Sequence, residues 1–245
     1  MPPPPTPPDP QLLLPGVPNL LQALDDVASL PENDRRAFFI NLYNAMIVHA
    51  NIVLPLPRTT LQRLAFFDGV RYRVGGDVYS CNDIEHGVLR GNGPSPADLW
   101  VLLGMPDRAR GHFKAGDPRL ALTVPLDPRI HFALNCGARS CPPVRVFDGA
   151  NVGEALRLAG HSFLDAEVIV REPPKGNTTA VIQVELSMIL KWYRMDFGRT
   201  DRAVLETVHG LMEPGSENRA SLRRALDAPN GVKCCYRVYD WGQNN

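Results

Sequence analysis

Residues 127–143, DPRIHFALNCGARSCPP, carry His131, Cys136 and Cys141 within a span shorter than a long helix. Apolar residues alternate with polar or small ones over residues 130–135, which is the period-2 pattern of a half-buried strand. The residues between the two cysteines are small, and two prolines stiffen the exit because each fixes φ and removes a backbone donor. This stretch therefore predicts a strand that stops in a tight loop, with a thiol at each end of the loop.

The composition is that of an ordinary globular protein. Of 245 residues, 44% are apolar and 21% are charged, and the formal net charge is zero. This balance leaves no basic footprint for nucleic acid, and no apolar run reaches the roughly 18 residues that a membrane-spanning helix needs. The five cysteines are an odd number, which excludes a complete intramolecular disulfide framework. We therefore expect a cytoplasmic protein with reduced thiols that binds neither nucleic acid nor membrane.

The order of helix-like and strand-like segments predicts an α+β fold. Residues 1–18 are rich in proline and predict a disordered leader, whereas residues 19–245 contain no further linker and favour a single domain. Two strand-like runs flank Gly75 and Gly76, which is the pattern of a β-hairpin. Because helices and antiparallel-looking strands occur in clusters, we expect helices packed around a small, mostly antiparallel sheet.

A long helix is predicted from Asn33 to about Leu54, where prolines follow. Its wide apolar stripe predicts burial, and Asn41 and Asn44 lie on a second stripe beside it. Since a buried amide without partners costs about 1–3 kcal/mol, both side chains should be hydrogen-bonded. They form either a satisfied amide network or one wall of an active site.

A second, shorter helix is predicted to start after Ser80 and to run to Arg90. Asp83 lies three residues after Ser80, which completes a pattern like a capping box. His86 lies three residues after Asp83 and four before Arg90, so these side chains should share a face. Glu85 and His86 have no obvious partner within so short a helix, which makes them candidates for a site formed in the tertiary structure.

Several segments resemble domain-of-unknown-function family 547 in order and spacing, from about Phe38 to the C-terminus. They are NLYNA at residues 41–45, DIEHGVLRG at 83–91, DPRIHFALNCGARSCPP at 127–143, WYRMDFG at 192–198 and YDW at 239–241. The resemblance implies a domain identity without an established activity. Its characteristic residues map to Asn41, Tyr43, Asn44, Ile84, Glu85, His86, Arg90, His131, Cys136, Cys141 and Pro142. Cys81 departs from the aliphatic residue expected at its position, so it should take no part in a shared chemistry.

The first functional hypothesis is a cysteine-dependent hydrolase or acyl transferase. Cys141 is the preferred nucleophile, because the strand pattern places Cys136 on the apolar face and predicts its burial. His86 or His131 would act as the base, and the thiol loop should then meet His86 in space. Glu85, Asp83 or an amide from Asn41 or Asn44 would orient the base. Peptide N–H groups of residues 137–141 would serve as an oxyanion hole. The logic is like that of papain-like and transglutaminase-like hydrolases, an analogy that also suggests a related fold.

Three alternatives stay open at this point. Two histidines and two cysteines satisfy the ligand count of a zinc site, although the C-x4-C spacing is longer than the commonest knuckle. Cys136 and Cys141 are near enough in sequence to act as a redox pair, although they lack the C-x-x-C spacing. A non-catalytic module that binds a protein or peptide partner would use the same polar residues only to support its core. No cofactor and no resident metal is expected under the first hypothesis.

Overall fold

The structure, a computed structural model, describes residues 27–172 and 181–243. The predicted leader at residues 1–18 lies outside the described residues. Within the described part the fold is α+β, with helices and two small sheets, as predicted. No helix in that part of the chain is both long enough and apolar enough to span a bilayer.

The chain divides into two compact units. The first consists of residues 1–127 and 146–152, and the second of residues 128–145 and 153–245. Each unit is therefore built from stretches that are separated in sequence. The expected single domain over residues 19–245 stays a prediction.

The first unit is built on the long helix α1 (Glu32–Val53). Its start differs from the prediction, because Pro31 is the N-cap and Asn33 lies in the first turn without capping it. Proline fits this position since its fixed φ suits the start of a helix. Most of the apolar stripe is buried, with Phe39, Ile40 and Met46 at 0% exposure, whereas Val53 at the end of the helix is 41% exposed.

Helix α2 (Thr60–Gly69) leads into the predicted hairpin, β1 (Arg71–Val74) and β2 (Asp77–Ser80). The strands are antiparallel, with Arg71 opposite Ser80. The two turn glycines have φ values of 53° and 86°, a left-handed conformation that residues with a Cβ adopt at a cost. The hairpin prediction is thus confirmed.

The segment that follows the hairpin is a π-helix, Asp83–Leu89. The predicted capping pattern is present, because Ser80 N donates to Asp83 Oδ2 over 2.8 Å and Asp83 N donates to Ser80 Oγ over 3.0 Å. The wider turn is set by bonds that reach five residues back, such as Asn92 N to Gly87 O at 2.9 Å. This helix packs against α1. A short helix, α3 (Leu99–Leu102), and the 3₁₀ turns Pro106–Arg108 and Pro118–Leu122 follow it.

The predicted strand at residues 130–135 is wrong. Pro128–Phe132 is a 3₁₀ helix, and the N–H groups of Ala133 and Leu134 both donate to Ile130 O, at 2.9 and 3.0 Å. All six residues of the alternating pattern are buried, so the alternation does not mark an exposed and a buried face. Because the strand supplied the reason for preferring Cys141 over Cys136, that reason no longer holds.

The second unit contains a three-stranded sheet beside five helices of the described chain. Nearly all of α4 (Val152–Glu167) belongs to it, and β3 (Ile169–Arg171), β4 (Ile182–Leu186) and β5 (Val232–Tyr236) lie in that spatial order. The β3–β4 pair is antiparallel and the β4–β5 pair is parallel. The remaining helices are α5 (Met188–Trp192), α6 (Arg194–Phe197), α7 (Asp201–Leu211) and α8 (Glu217–Asp227).

The core of the second unit joins these helices to one face of the sheet. Leu164 of α4, Val184 of β4 and Val204 of α7 are all at 0% exposure in one apolar cluster. Cys136 and Cys141 pack against the edge of this cluster as half-buried residues. The loop that carries these two thiols therefore packs against the apolar core of the second unit.

Candidate functional site

The thiol loop, residues 136–141, is held at both ends by one side chain. Asn135 Oδ1 accepts from Gly137 N at 2.6 Å, and Asn135 Nδ2 donates to Pro142 O at 2.7 Å. Within the loop, Cys141 N donates to Ala138 O at 3.0 Å. Gly137 has a φ of 87°, which favours glycine at this turn. The loop is thus a closed turn whose two ends lie close together.

The C-terminal segment, residues 238–243, lies against the thiol loop. Arg139 N donates to Gly242 O at 2.7 Å, and Ser140 N donates to Asp240 O at 3.3 Å. In return, Asp240 N donates to Ser140 Oγ at 2.9 Å. These bonds join stretches that are far apart in sequence.

This contact brings the hydroxyl of Tyr239 to the thiols. Its Oη lies 3.1 Å from Cys141 Sγ and 3.4 Å from Cys136 Sγ. Cys136 N also donates to Cys141 Sγ at 3.1 Å. Cys141 Sγ is therefore the sulfur that the surrounding donors favour as an anion.

The electrostatics distinguish the two thiols. Hydrogen bonds from the Cys136 thiol, from Tyr239 and from Cys136 N outweigh burial and lower the pKa of Cys141 to about 7. The hydrogen bond to Cys141, together with burial, raises the pKa of Cys136 well above its usual value. Burial likewise raises the pKa of Tyr239, so its hydroxyl keeps its proton and remains a donor. Near neutral pH, Cys141 is therefore the more readily ionised thiol of the pair, and Cys136 stays protonated.

Two tryptophans surround the tyrosine. The ring of Tyr239 lies 4.8 Å from that of Trp192 and 4.7 Å from that of Trp241. Trp241 is 38% exposed, so an aromatic face is open to solvent close to the thiols.

His131 lies in the second unit, and its imidazole is hydrogen-bonded to a carboxylate of the same unit. Its Nε2 is 2.7 Å from Asp196 Oδ2, and its ring stacks on Tyr193 with centroids 3.9 Å apart. In the described part of the chain, His131 has no hydrogen bond to Cys136 or Cys141. Asp196 was not anticipated from the sequence, and its place in the motif WYRMDFG was the only available signal.

Glu85 and His86 belong to the first unit. Arg90 Nη1 lies 3.1 Å from His86 Nδ1 and, because guanidinium only donates, Nδ1 is the acceptor. The predicted shared face of His86 and Arg90 is thus confirmed. Glu85 is buried at 6% exposure. Since the cysteines belong to the second unit, a meeting of His86 with the thiol loop stays a prediction.

A charged cluster beside the π-helix was missed. His112 Nε2 lies 2.9 Å from Asp83 Oδ1. Arg119 lies 3.3 Å from Asp83 Oδ2 and stacks on Phe113 at 4.4 Å. Burial raises the pKa of Asp83, but the hydrogen bonds from His112 and Ser80, with the charge of Arg119, outweigh it and lower that pKa to about 2.

Asn41 and Asn44 also lie in the first unit. Asn41 Nδ2 donates to Phe147 O at 2.7 Å, and Asn41 Oδ1 accepts from Phe147 N at 2.9 Å. Asn44 is at 2% exposure, as its position beside the apolar stripe predicted, whereas Asn41 is half-buried. The paired bonds of Asn41 tie α1 to the backbone of residue 147, and a part of Asn41 or Asn44 in orienting a base stays a prediction.

Among the described residues, the structure corrects the expected oxyanion hole and gives no support to the zinc alternative. The N–H groups of Gly137, Arg139, Ser140 and Cys141 all donate within the protein, so these groups do not form an oxyanion hole. Over residues 27–172 and 181–243, no three His, Cys, Asp or Glu side chains are grouped so as to hold a metal ion. The predicted zinc alternative therefore finds no donor set in that part of the chain.

Fold and site together define an α+β protein with a pair of free thiols set against a buried tyrosine. The family model described as Protein of unknown function, DUF547 matches residues 27–164, more than half of the chain. The chain therefore belongs to this family. No curated protein and no solved structure matches it. The family match includes Cys136 and Cys141 but ends before Asp196 and Tyr239, so the predicted resemblance of the later motifs stays a prediction.

Proposed function

We propose that the protein is a thiol-dependent hydrolase or acyl transferase in which Cys141 is the nucleophile. The observation that carries this proposal is the set of donors around one sulfur, with Cys136 N and Tyr239 Oη each 3.1 Å from Cys141 Sγ. Attack on a carbonyl carbon forms a thioester and expels the leaving group, and water or a second acceptor then releases the acyl group.

The donors replace part of what a histidine does in other thiol enzymes. A base makes the thiol reactive by taking its proton, whereas hydrogen bonds make it reactive by favouring the anion. Three such bonds already lower the pKa of Cys141 to about 7. A base role for His86 or His131, supported by Glu85, is a further part of the proposal and rests on the sequence.

The surroundings of the thiolate favour an apolar acyl group. Trp192 and Trp241 lie with their ring centroids 5.6 Å apart, beside the tyrosine that contacts the sulfurs. A partly exposed pair of indole rings provides apolar surface without a fixed charge, which suits an aliphatic or aromatic acyl chain.

The direct test is acylation by p-nitrophenyl acetate. We expect a burst of about one p-nitrophenolate per chain at neutral pH and an acetyl group on the peptide that contains Cys141. Cys141→Ser should remove both signals. Cys235→Ser is the matched control, because Cys235 is a half-buried free thiol on β5 and should leave the burst unchanged.

The same assay measures the proposed base. His86→Ala and His131→Ala should slow acylation if either imidazole assists the thiol, and circular dichroism shows whether each variant is folded. Acetylation of Cys136 in place of Cys141 would contradict the proposal. So would the absence of any adduct in folded, reduced protein, a result that would favour a protein-interaction module.

A further inference from the structure

The second thiol of the site forms no covalent bond in the proposed acyl transfer. Cys136 and Cys141 are both free, and both sulfurs lie within 3.4 Å of the same tyrosine oxygen. Cys136 N is 3.1 Å from the Cys141 sulfur, so the backbone of one cysteine already contacts the side chain of the other. Two thiols in this position are close enough to become bonded with little movement of the chain.

The loop geometry prevents the two thiols from separating. Asn135 bridges Gly137 N and Pro142 O, so the ends of the loop are fixed together. The opposite side of the loop is bonded to Asp240 and Gly242 of the C-terminal segment. A reactive species formed on one sulfur would therefore remain beside the other.

The remaining cysteines differ in their surroundings. Cys81 is fully buried, and burial raises its pKa strongly. Burial also raises the pKa of Cys234, to about 11. Both should be unreactive at neutral pH, because the thiolate is the form that oxidants attack. Oxidation should thus favour Cys141 over Cys81 and Cys234.

We propose that the Cys136–Cys141 pair reacts with small hydroperoxides, with Cys141 as the attacking sulfur and Cys136 as the resolving thiol. This inference rests on the proposed function in one respect, because both assign Cys141 as the attacking sulfur. The oxidised pair lacks a thiolate and is inactive in acyl transfer, so the reaction also provides a reversible means to turn that activity off.

The chemistry balances in two steps. The Cys141 thiolate attacks one oxygen of ROOH, the O–O bond breaks, and the alkoxide takes a proton, which gives ROH and a sulfenic acid on Cys141. Cys136 sulfur then attacks the sulfenic sulfur, the S–O bond breaks, and the hydroxide leaves as water with the proton of the Cys136 thiol. The thiols lose two electrons and the peroxide gains two. An external dithiol restores the pair by thiol–disulfide exchange.

Hydrogen peroxide is the probe for the test on the full-length, reduced protein. We expect the chain to lose the mass of two hydrogens and peptide mapping to find a Cys136–Cys141 disulfide, which dithiothreitol reverses. The initial reaction at pH 7 should be roughly tenfold faster than that of free cysteine, because Cys141 has about that excess of thiolate.

Two variants separate the steps. Cys136→Ser should stop at a sulfenic acid on Cys141 that dimedone traps, and Cys141→Ser should block the reaction, while Cys235→Ser should form the disulfide normally. Fast acetylation of Cys141 without disulfide formation would overturn this inference and leave the proposed acyl transfer standing. Disulfide formation without any acetyl adduct would support this inference and contradict the proposed acyl transfer. Over-oxidation of Cys141 in the presence of Cys136 would show that the second thiol does not resolve it.

Discussion

At the scale of single residues, the site depends on Tyr239. Its hydroxyl is the one side-chain oxygen bonded to both central thiols in the described part of the chain. A phenol whose pKa is raised by burial stays protonated and donates, and a donor to a charged acceptor contributes about 1.5–3 kcal/mol. This residue therefore tunes the thiol without taking part in proton transfer.

Tyr239→Phe should raise the pKa of Cys141 by about 1–2 units, because the thiolate loses one of its donors. The measurement is the rate of alkylation by iodoacetamide as a function of pH, whose midpoint should move upward from about 7. Tyr236→Phe is the control, since the Tyr236 hydroxyl contacts Arg194 at 3.3 Å instead. An unchanged midpoint in the Tyr239 variant would show that the tyrosine hydroxyl does not affect the pKa of Cys141.

Asp83 is the residue that links stability to acid pH. Its pKa in the folded protein is about 2, below the usual value of an aspartate, so its stabilisation is fully present above the unfolded pKa and is lost as pH falls through about 2. Asp83→Asn should therefore lower the free energy of unfolding by about 2 kcal/mol at pH 7, and by progressively less below about pH 4.

Urea denaturation at several pH values checks this result. Asp227→Asn is the matched control, because Asp227 forms an exposed ion pair with Arg223 and such pairs contribute little. A loss of stability in the Asp83 variant that is constant from pH 7 to pH 3 would indicate damage to packing, not the removal of a charge interaction.

At the scale of elements, the π-helix carries the buried Glu85 and His86. Gly87 of this helix lies against the ring of Phe113, and the guanidinium of Arg119 lies 4.4 Å from the centre of that ring. A methyl group at position 87 would overlap that ring. Single π turns inside helices often occur at functional sites, so this element is a second candidate for a functional role.

Gly87→Ala should destabilise the protein by about 1–3 kcal/mol, because the buried ring of Phe113 must move. The melting temperature in thermal unfolding measures the effect. Gly210→Ala is the control within α7, where nothing lies within 4 Å of an added methyl group. That change should stabilise by about 0.4–1 kcal/mol through the unfolded chain. Equal effects of the two substitutions would contradict the proposed close contact.

At the scale of the whole molecule, the site depends on the end of the chain. Deletion of residues 238–245 removes Tyr239 and the bonds to Arg139 and Ser140. We expect the deleted protein to stay folded while its Cys141 alkylates at pH 7 several-fold more slowly, as its pKa returns toward about 8.5. Removal of residues 244–245 alone is the control, and equal alkylation of both proteins would contradict the role of the C-terminal segment.

Much of the architecture follows from local signals. The hairpin at Gly75 and Gly76, the long α1 and the capping pattern of Ser80 with Asp83 are all set by neighbouring residues, so the sequence predicted them. Residues 130–135 show the limit of this approach. Their period-2 pattern was interpreted as a strand, but the segment is buried on all sides as a 3₁₀ turn.

The sequence by itself determined the α+β class, the family and the loop in which the central thiols lie. It did so because periodicity, turn residues and short motifs are properties of adjacent positions. Only the tertiary structure decided which sulfur is favoured as a thiolate. That choice depends on Tyr239, about 100 positions away, and a hydrogen bond is effective only within about 3 Å, a distance that sequence spacing does not measure.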